Sequence, residues 1–290
     1  MTFYNEPSPS DPVDIYRIPY VGIRTIRLTN TQFLVNERPF YFHGANAHED
    51  SDIRGKGFDR VLFVKYFNLY GWLHSNAFRT SHYQYAEEFY QLADRYGIAT
   101  IDETTAVGLT KASYFSQATQ NHHKEVLTEM ITRDRNHPSI LMWSLANEPA
   151  VGLDEAAVYF SPLVNFTRPL AGGRPITFVT YHRPNADKSV PFFDVICINR
   201  YFGFSDNSGY WVDAANEVNK DLDGWRSFYP TKPILFSEYG AETIAALHSD
   251  PPLMFTEEFQ KEFYTTYHGI SDHISSILHP NTGYLIGELP

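Results

Sequence analysis

The sequence predicts an α/β protein, a (β/α)8 barrel that ends after its eighth strand and lacks its last helix. Eight short β-rich runs alternate with segments of helical spacing, most runs are nearly continuous in apolar residues, and polar groups crowd the same end of each run. Continuous apolar runs suit strands covered on both faces, and strand–helix alternation leads to a parallel sheet closed by crossovers rather than to a sandwich. Such a barrel takes about 250 residues, which would fill most of the 290 present.

The runs are FYFHGANAH (40–48), NAFRTSH (76–82), IATIDE (98–103), SILMWSLANE (139–148), PITFVTY (175–181), DVICINRY (194–201), PILFSEYG (233–240) and GYLIGEL (283–289). After the first run, a segment beginning at residue 58 places Val61, Val64, Phe67 and Leu69 near one helix face. YAEEFYQLADRYG closes on Gly97, a natural helix stop. Helical spacing recurs over 122–138, 154–170 and 256–270. Ahead of the barrel, VGIRTIRLTNTQFLVNERPF alternates like an edge strand and hairpin leading in. Residues 1–30 are therefore read as the tail of a preceding β domain with its linker, and 31–290 as the barrel.

A formal charge of −11 argues against a nucleic-acid surface and offers anionic membranes no basic patch. No run reaches the roughly 18 apolar residues a membrane span needs, and the N-terminus lacks the basic start and apolar stretch of a signal peptide. The single cysteine, Cys197, forms no internal disulfide and reads as a small core residue.

Barrels of this kind do their chemistry at the C-terminal ends of the strands. There the sequence places His43 and His48, Arg79 and His82, Asp102 and Glu103, Asn147 and Glu148, Tyr181 and His182, Asn199 and Tyr201, and Glu238 and Tyr239. Glu148 and Glu238 end the fourth and seventh runs, nearly opposite across an eight-strand ring. Paired carboxylates facing one cleft equip glycoside hydrolysis, in which one stays protonated to donate to the leaving oxygen and the other stays ionised. Either Glu alone reads equally well as a solvated strand end or a partner for Arg79. Both together, at one height among Asn, Tyr, His and Arg, favour the catalytic reading.

Arg79 and His82 read either as a buried ion-pair partner and a core histidine or as groups that scaffold the carboxylates. Tyr201 reads as a packing residue or as a hydroxyl bonded to the nucleophile. A metal site is the rival chemistry, but His43, His48, Glu49 and Asp50 match no standard zinc spacing, and His122 and His123 read as a helix surface. No metal and no cofactor is expected.

HGANAHEDSDIRGKGFD, NAFRTSHY, DRNHPSILMWSLANEP, DVICINRYFG and SEYGAETIAALH together resemble the β-glucuronidases of glycoside hydrolase family 2, from about Tyr20 to Glu288. The resemblance implies a jelly roll, an immunoglobulin-like domain and a catalytic barrel in that order, so the leading residues stand for the end of the immunoglobulin-like domain. It implies that Glu148 is the acid/base, Glu238 the nucleophile and Tyr201 a third catalytic group. His48, Asn147 and Asn199 are then substrate ligands, and we place Arg79 and His82 with them. Implied partners are β-D-glucuronides and further copies of the chain, since animal members are tetrameric. Those members are also lysosomal, and the sequon Asn165–Thr167 is compatible with a secretory route. The chain departs from the family at Gln84, where Pro is usual, and shows no Trp-containing stretch or Asn-x-Lys motif after GEL. Two alternatives stand beside a glucuronidase: a truncated, non-catalytic relative that binds sugar or a full-length subunit, and another family 2 activity such as β-galactosidase.

Overall fold

The computed structural model describes residues 21–290, so the expected tail of a preceding β domain lies outside the described residues as far as residue 20. The first described elements are three short antiparallel strands, β1 (Ile26–Leu28), β2 (Phe33–Val35) and β3 (Arg38–Phe40). Asn36 and Glu37, both at positive φ, make the two-residue turn between β2 and β3.

The chain then enters a closed barrel. Its strands are β4 (Phe42–Asn46), β7 (Ala77–Arg79), β8 (Ala99–Glu103), β9 (Ile140–Asn147), β10 (Ile176–Thr180), β11 (Ile196–Asn199), β12 (Ile234–Glu238) and β13 (Leu285–Glu288). A small hairpin, β5 (Asp50–Ser51) and β6 (Gly55–Lys56), follows β4. All eight barrel pairings are parallel, and β13 closes on β4 through Gly287–Phe42 and Glu288–His43. Each strand falls inside its expected run. Two glycines permit the closure. A Cβ on Gly44 would lie 1.7 Å from the Ala77 carbonyl oxygen, and one on Gly287 would lie 2.4 Å from the Cβ of Phe42.

Among the described residues six α-helices cover the outside: α1 (Arg60–Trp72), α2 (Glu87–Tyr96), α3 (Gln117–Asp134), α4 (Asp154–Thr167), α5 (Trp211–Phe228) and α6 (Glu257–Ile274). Three differences from the sequence reading have physical causes. In α1 the buried residues are Phe63, Phe67 and Tyr70, while Val61 is 78% exposed. The larger aromatic side chains claim the core stripe, and the expected face is rotated from it. Helix α5 escapes a hydrophobic-period search because its buried stripe of Ala214, Val218, Leu222 and Trp225 also contains Asp221, which pairs with Arg200. Between β10 and β11 the described residues hold only a short 3-10 turn, Val190–Phe192, in place of an α-helix.

The barrel interior changes character along its axis. Its lower part is apolar, with Phe42, Ala77, Ala99, Ile101, Met142, Val179, Cys197, Leu235 and Ile286 packed together. Phe33 of β2 joins them from below, fully buried, with its ring centroid 4.9 Å from that of Phe42 in an edge-on contact. Farther along the same strands, Arg79, Glu103, Ser144, Asn199 and Ser237 are also buried. Side chains alternate across a strand, so these polar groups share the interior with the apolar plug and sit toward the C-terminal mouth.

His123 corrects an expectation. His122 is exposed beside Glu125, but His123 is only 5% exposed, with Nε2 3.2 Å from Thr104 Oγ1 and Nδ1 3.0 Å from the Tyr159 hydroxyl. Burial pushes its imidazole pKa down to about 4. An unfolded chain would titrate this group near 6.5, so between those values the unfolded state binds the extra proton and stability falls as pH falls. The contribution reaches about 3 kcal/mol at the acid end of that window. Thermal melts from pH 7 to 4 should therefore show a shallower acid slope for His123→Gln than for the parent. Equal slopes would contradict this assignment.

Candidate active site

Strand β9 is buried along its whole length and delivers Asn147 and Glu148 to the mouth. Pro149 disfavours the right-handed helical conformation for the residue before it. Glu148 instead takes φ +49°, and its N–H donates to the Val179 carbonyl at 2.9 Å. A left-handed non-glycine residue costs about 1 kcal/mol or more and persists where the surroundings hold it. Here β10 supplies the backbone anchor. Asn199 at the end of β11 supplies a second, donating Nδ2–H to Glu148 Oε1 at 2.7 Å, while its own Oδ1 accepts from the Ser237 hydroxyl at 2.9 Å.

Glu238 ends β12, its side chain 15% exposed. Arg79 Nη1 donates to its Oε1 at 2.7 Å, and the Tyr201 hydroxyl donates to its Oε2 at 2.6 Å. His82 Nε2 stands 3.6 Å from Oε1. The carboxylates are thus held differently: a cation and a phenol meet Glu238, and a neutral amide meets Glu148.

Beneath Glu238 lies a buried charge network. Arg79 is 0% exposed, and every N–H of its guanidinium has an acceptor. Nε and Nη2 grip Glu103 at 2.9 and 2.8 Å, Nη2 also donates to Asn147 Oδ1 at 2.8 Å, and Nη1 reaches Asn46 Oδ1 at 3.1 Å besides Glu238. Burial opposes the Arg79 charge, but Glu103 and Glu238 overcome it and hold the guanidinium pKa above its usual range. Burial likewise pushes the Glu103 carboxyl up, but Arg79, with help from His82, leaves it below the usual range. Both groups are accordingly charged. Burial, then the Glu238 charge, raises the Tyr201 hydroxyl, which stays a neutral donor.

The structure brings Glu148, Glu238, Tyr201, Asn147, Asn199, Arg79 and His82 together. His48 sits at the exposed rim, its ring centroid 5.6 Å from that of His82, with the Tyr83 hydroxyl 3.4 Å from Nδ1. Two of the expected substrate ligands are buried. Arg79, placed with the substrate ligands, is sealed inside the barrel and spends all its donors on protein. Asn199 is 2% exposed and holds Glu148. Three of the other strand-end residues turn elsewhere: His43 faces the His74 carbonyl, Asp102 bonds Tyr90 between strand and helix, and Tyr239 bonds Glu288 and His268.

Sequence reasoning gave no role to Asn46, Glu103, Ser144 or Ser237. A usable signal existed for Glu103: it shares strand parity with Ala99 and Ile101, so an apolar-sided strand points a carboxylate inward and demands a buried cation. Among the described residues, no three His, Cys, Asp or Glu side chains converge in a way that would hold a metal ion.

Residues 26–282 match the model "Glycosyl hydrolases family 2, TIM barrel domain". The β-glucuronidase of Sus scrofa is 51% identical over 276 residues, which is 95% of this chain and 41% of that protein. The solved β-D-glucuronidase of Dictyoglomus thermophilum superposes with a TM-score of 0.89 at 45% identity, covering 97% of this chain and 49% of the other. A β-glucuronidase from Ruminococcus gnavus in complex with D-glucuronic acid gives 0.86 at 36% identity, over 93% and 46% of the two chains. The chain thus spans about two-fifths of the length of the curated relatives it matches.

Proposed function

Because the chain belongs to glycosyl hydrolase family 2, as its TIM barrel domain, we propose that it carries the catalytic barrel of a retaining β-glucuronidase. Its substrates would be β-linked glucuronic acid units at glycosaminoglycan ends or in glucuronide conjugates. One observation carries the reading: Glu238, met by the Arg79 guanidinium and the Tyr201 hydroxyl, shares a mouth with Glu148, which among the described residues the Asn199 amide alone holds.

In this reading Glu238 attacks the anomeric carbon while Glu148 gives its proton to the departing glycosidic oxygen. A covalent glycosyl-enzyme forms, Glu148 then takes a proton from water, and the water displaces Glu238 with the sugar's β configuration restored. The Tyr201 hydroxyl steadies the Glu238 oxygen it contacts as charge leaves the carboxylate. Arg79 orients Asn147 through the amide oxygen, which leaves the amide nitrogen as the end available to a sugar hydroxyl. His48 and His82 line the rim beside it.

The test is to offer the purified protein an aryl β-D-glucuronide and the matching β-D-galactoside, and to follow the first-formed sugar by proton NMR. We expect hydrolysis of the glucuronide, with β-glucuronic acid appearing before mutarotation. Preference for the galactoside, or initial release of the α-anomer, would overturn the reading. A lysosomal or secreted location and a homo-oligomeric assembly are proposals supported by the resemblance to animal members. Among the described residues no helix is long and apolar enough to cross a membrane.

A further inference from the structure

We propose that Glu103 is a positioning residue for the reaction: by holding and neutralising Arg79 from beneath, it keeps Glu238 an effective nucleophile instead of one half of a closed ion pair. The inference rests on the glycosidase reading above and assigns a role to a residue that touches neither substrate nor cleft.

The geometry is specific. Glu103 is wholly buried at the end of β8, and its two oxygens accept four contacts: Arg79 Nη2 at 2.8 Å and His82 Nδ1 at 3.2 Å on Oε1, Arg79 Nε at 2.9 Å and the Ser144 hydroxyl at 2.7 Å on Oε2. Its own N–H donates to Thr80 Oγ1 at 3.0 Å, which ties the backbone as well. The two-pronged grip on Nε and Nη2 fixes the plane of the guanidinium and leaves Nη1 directed at Glu238. Position is therefore set from below.

Charge is set there too. Arg79 contributes one positive charge, and Glu103 and Glu238 one negative charge each, so the network keeps a net negative charge at the mouth while Glu238 is ionised. The other titratable groups facing it are His82 after β7, Tyr201 after β11 and Glu148 after β9, together with the buried thiol of Cys197, which burial pushes up to about 12. None of these replaces Glu103 as the counter-charge of Arg79. Without Glu103, the whole of the guanidinium charge would fall on Glu238. Such pairing in a poorly solvated site lowers nucleophilicity and withdraws negative potential from the cationic transition state of glycoside cleavage. The substrate itself carries a carboxylate, so a less negative site would bind it no worse.

The charge balance sets a sign that packing alone would not. Glu103→Gln should lower kcat on an aryl β-glucuronide at least tenfold while KM stays equal or falls. In an Arg79→Gln background the sign should reverse: adding Glu103→Gln removes an uncompensated buried carboxylate beside the nucleophile, and the double variant should turn over faster than Arg79→Gln alone. Circular dichroism melts establish that each variant is folded. If Glu103→Gln by itself does not fold, the gain expected of the double variant over Arg79→Gln still tests the role. Losses in the same direction in both backgrounds, or a rise in KM with kcat intact, would overturn the role given to Glu103. A parent protein that hydrolyses no aryl β-glucuronide would instead overturn the functional reading and take this inference with it.

Discussion

Glu238→Ala should reduce turnover of an aryl β-glucuronide by roughly 10⁴-fold or more, the scale at which removal of a covalent nucleophile is felt. The substitution deletes the proposed attacking group and leaves Arg79 and Tyr201 facing a small cavity where its oxygens stood. Azide is an anion of suitable size for that space, and it should restore part of the rate by attacking the anomeric carbon directly. One displacement without a glycosyl-enzyme inverts the centre, so the product should be the α-glucuronosyl azide. A β-azide would mean that azide entered from the other face and that Glu238 is not the nucleophile. Turnover within tenfold of the parent, without azide, would remove Glu238 from the reaction altogether.

Glu148→Ala should separate substrates by their leaving groups. An alkyl or sugar aglycone departs as a strongly basic alkoxide unless it is protonated, whereas an activated phenol needs little help. The expected loss is therefore about a hundredfold or more for poor leaving groups, within the range of general acid catalysis, and far less for the bond-breaking step of an activated aryl glucuronide. With that substrate the second step becomes slow, since water has lost its base, and a burst of aryl product should precede the steady state. Azide, which needs no base, should relieve the slow step and give the β-azide. Equal losses on both classes of substrate, without a burst, would contradict the acid/base role of Glu148.

The barrel was legible because its strands are buried on both faces. Runs such as SILMWSLANE leave little room for any other reading, and the polar cluster at each run's end locates the mouth. Glu148, Glu238 and Tyr201 could be nominated because they close those runs. What lay beneath them was not legible in the same way. Arg79 looks like a mouth residue in one dimension, and only the alternation that pairs it with Glu103 inside the barrel buries it. Asn199 shows the same effect, since its neighbour across the register is Glu238 while its amide turns to Glu148. Helix α5 was hidden by Asp221, a charge at a core position whose partner Arg200 is distant in sequence. His123 was misplaced because a polar residue beside His122 gives no sign of which of the two the helix turns inward.

The lower opening of the barrel is stoppered by Phe33, a residue that comes before the first barrel strand. This bears on which stretch of chain can move as a module, in evolution or in the laboratory. A recombination joint placed just ahead of Phe42 would leave the stopper with the donor of the preceding segment, and the barrel would inherit a hole. Truncating a buried Phe to Ala commonly costs about 3 to 5 kcal/mol, a large part of the stability of an ordinary domain. Ile26–Phe40 therefore belongs with the barrel strands, and chimaeras that exchange the segment ahead of the barrel should be joined before Ile26.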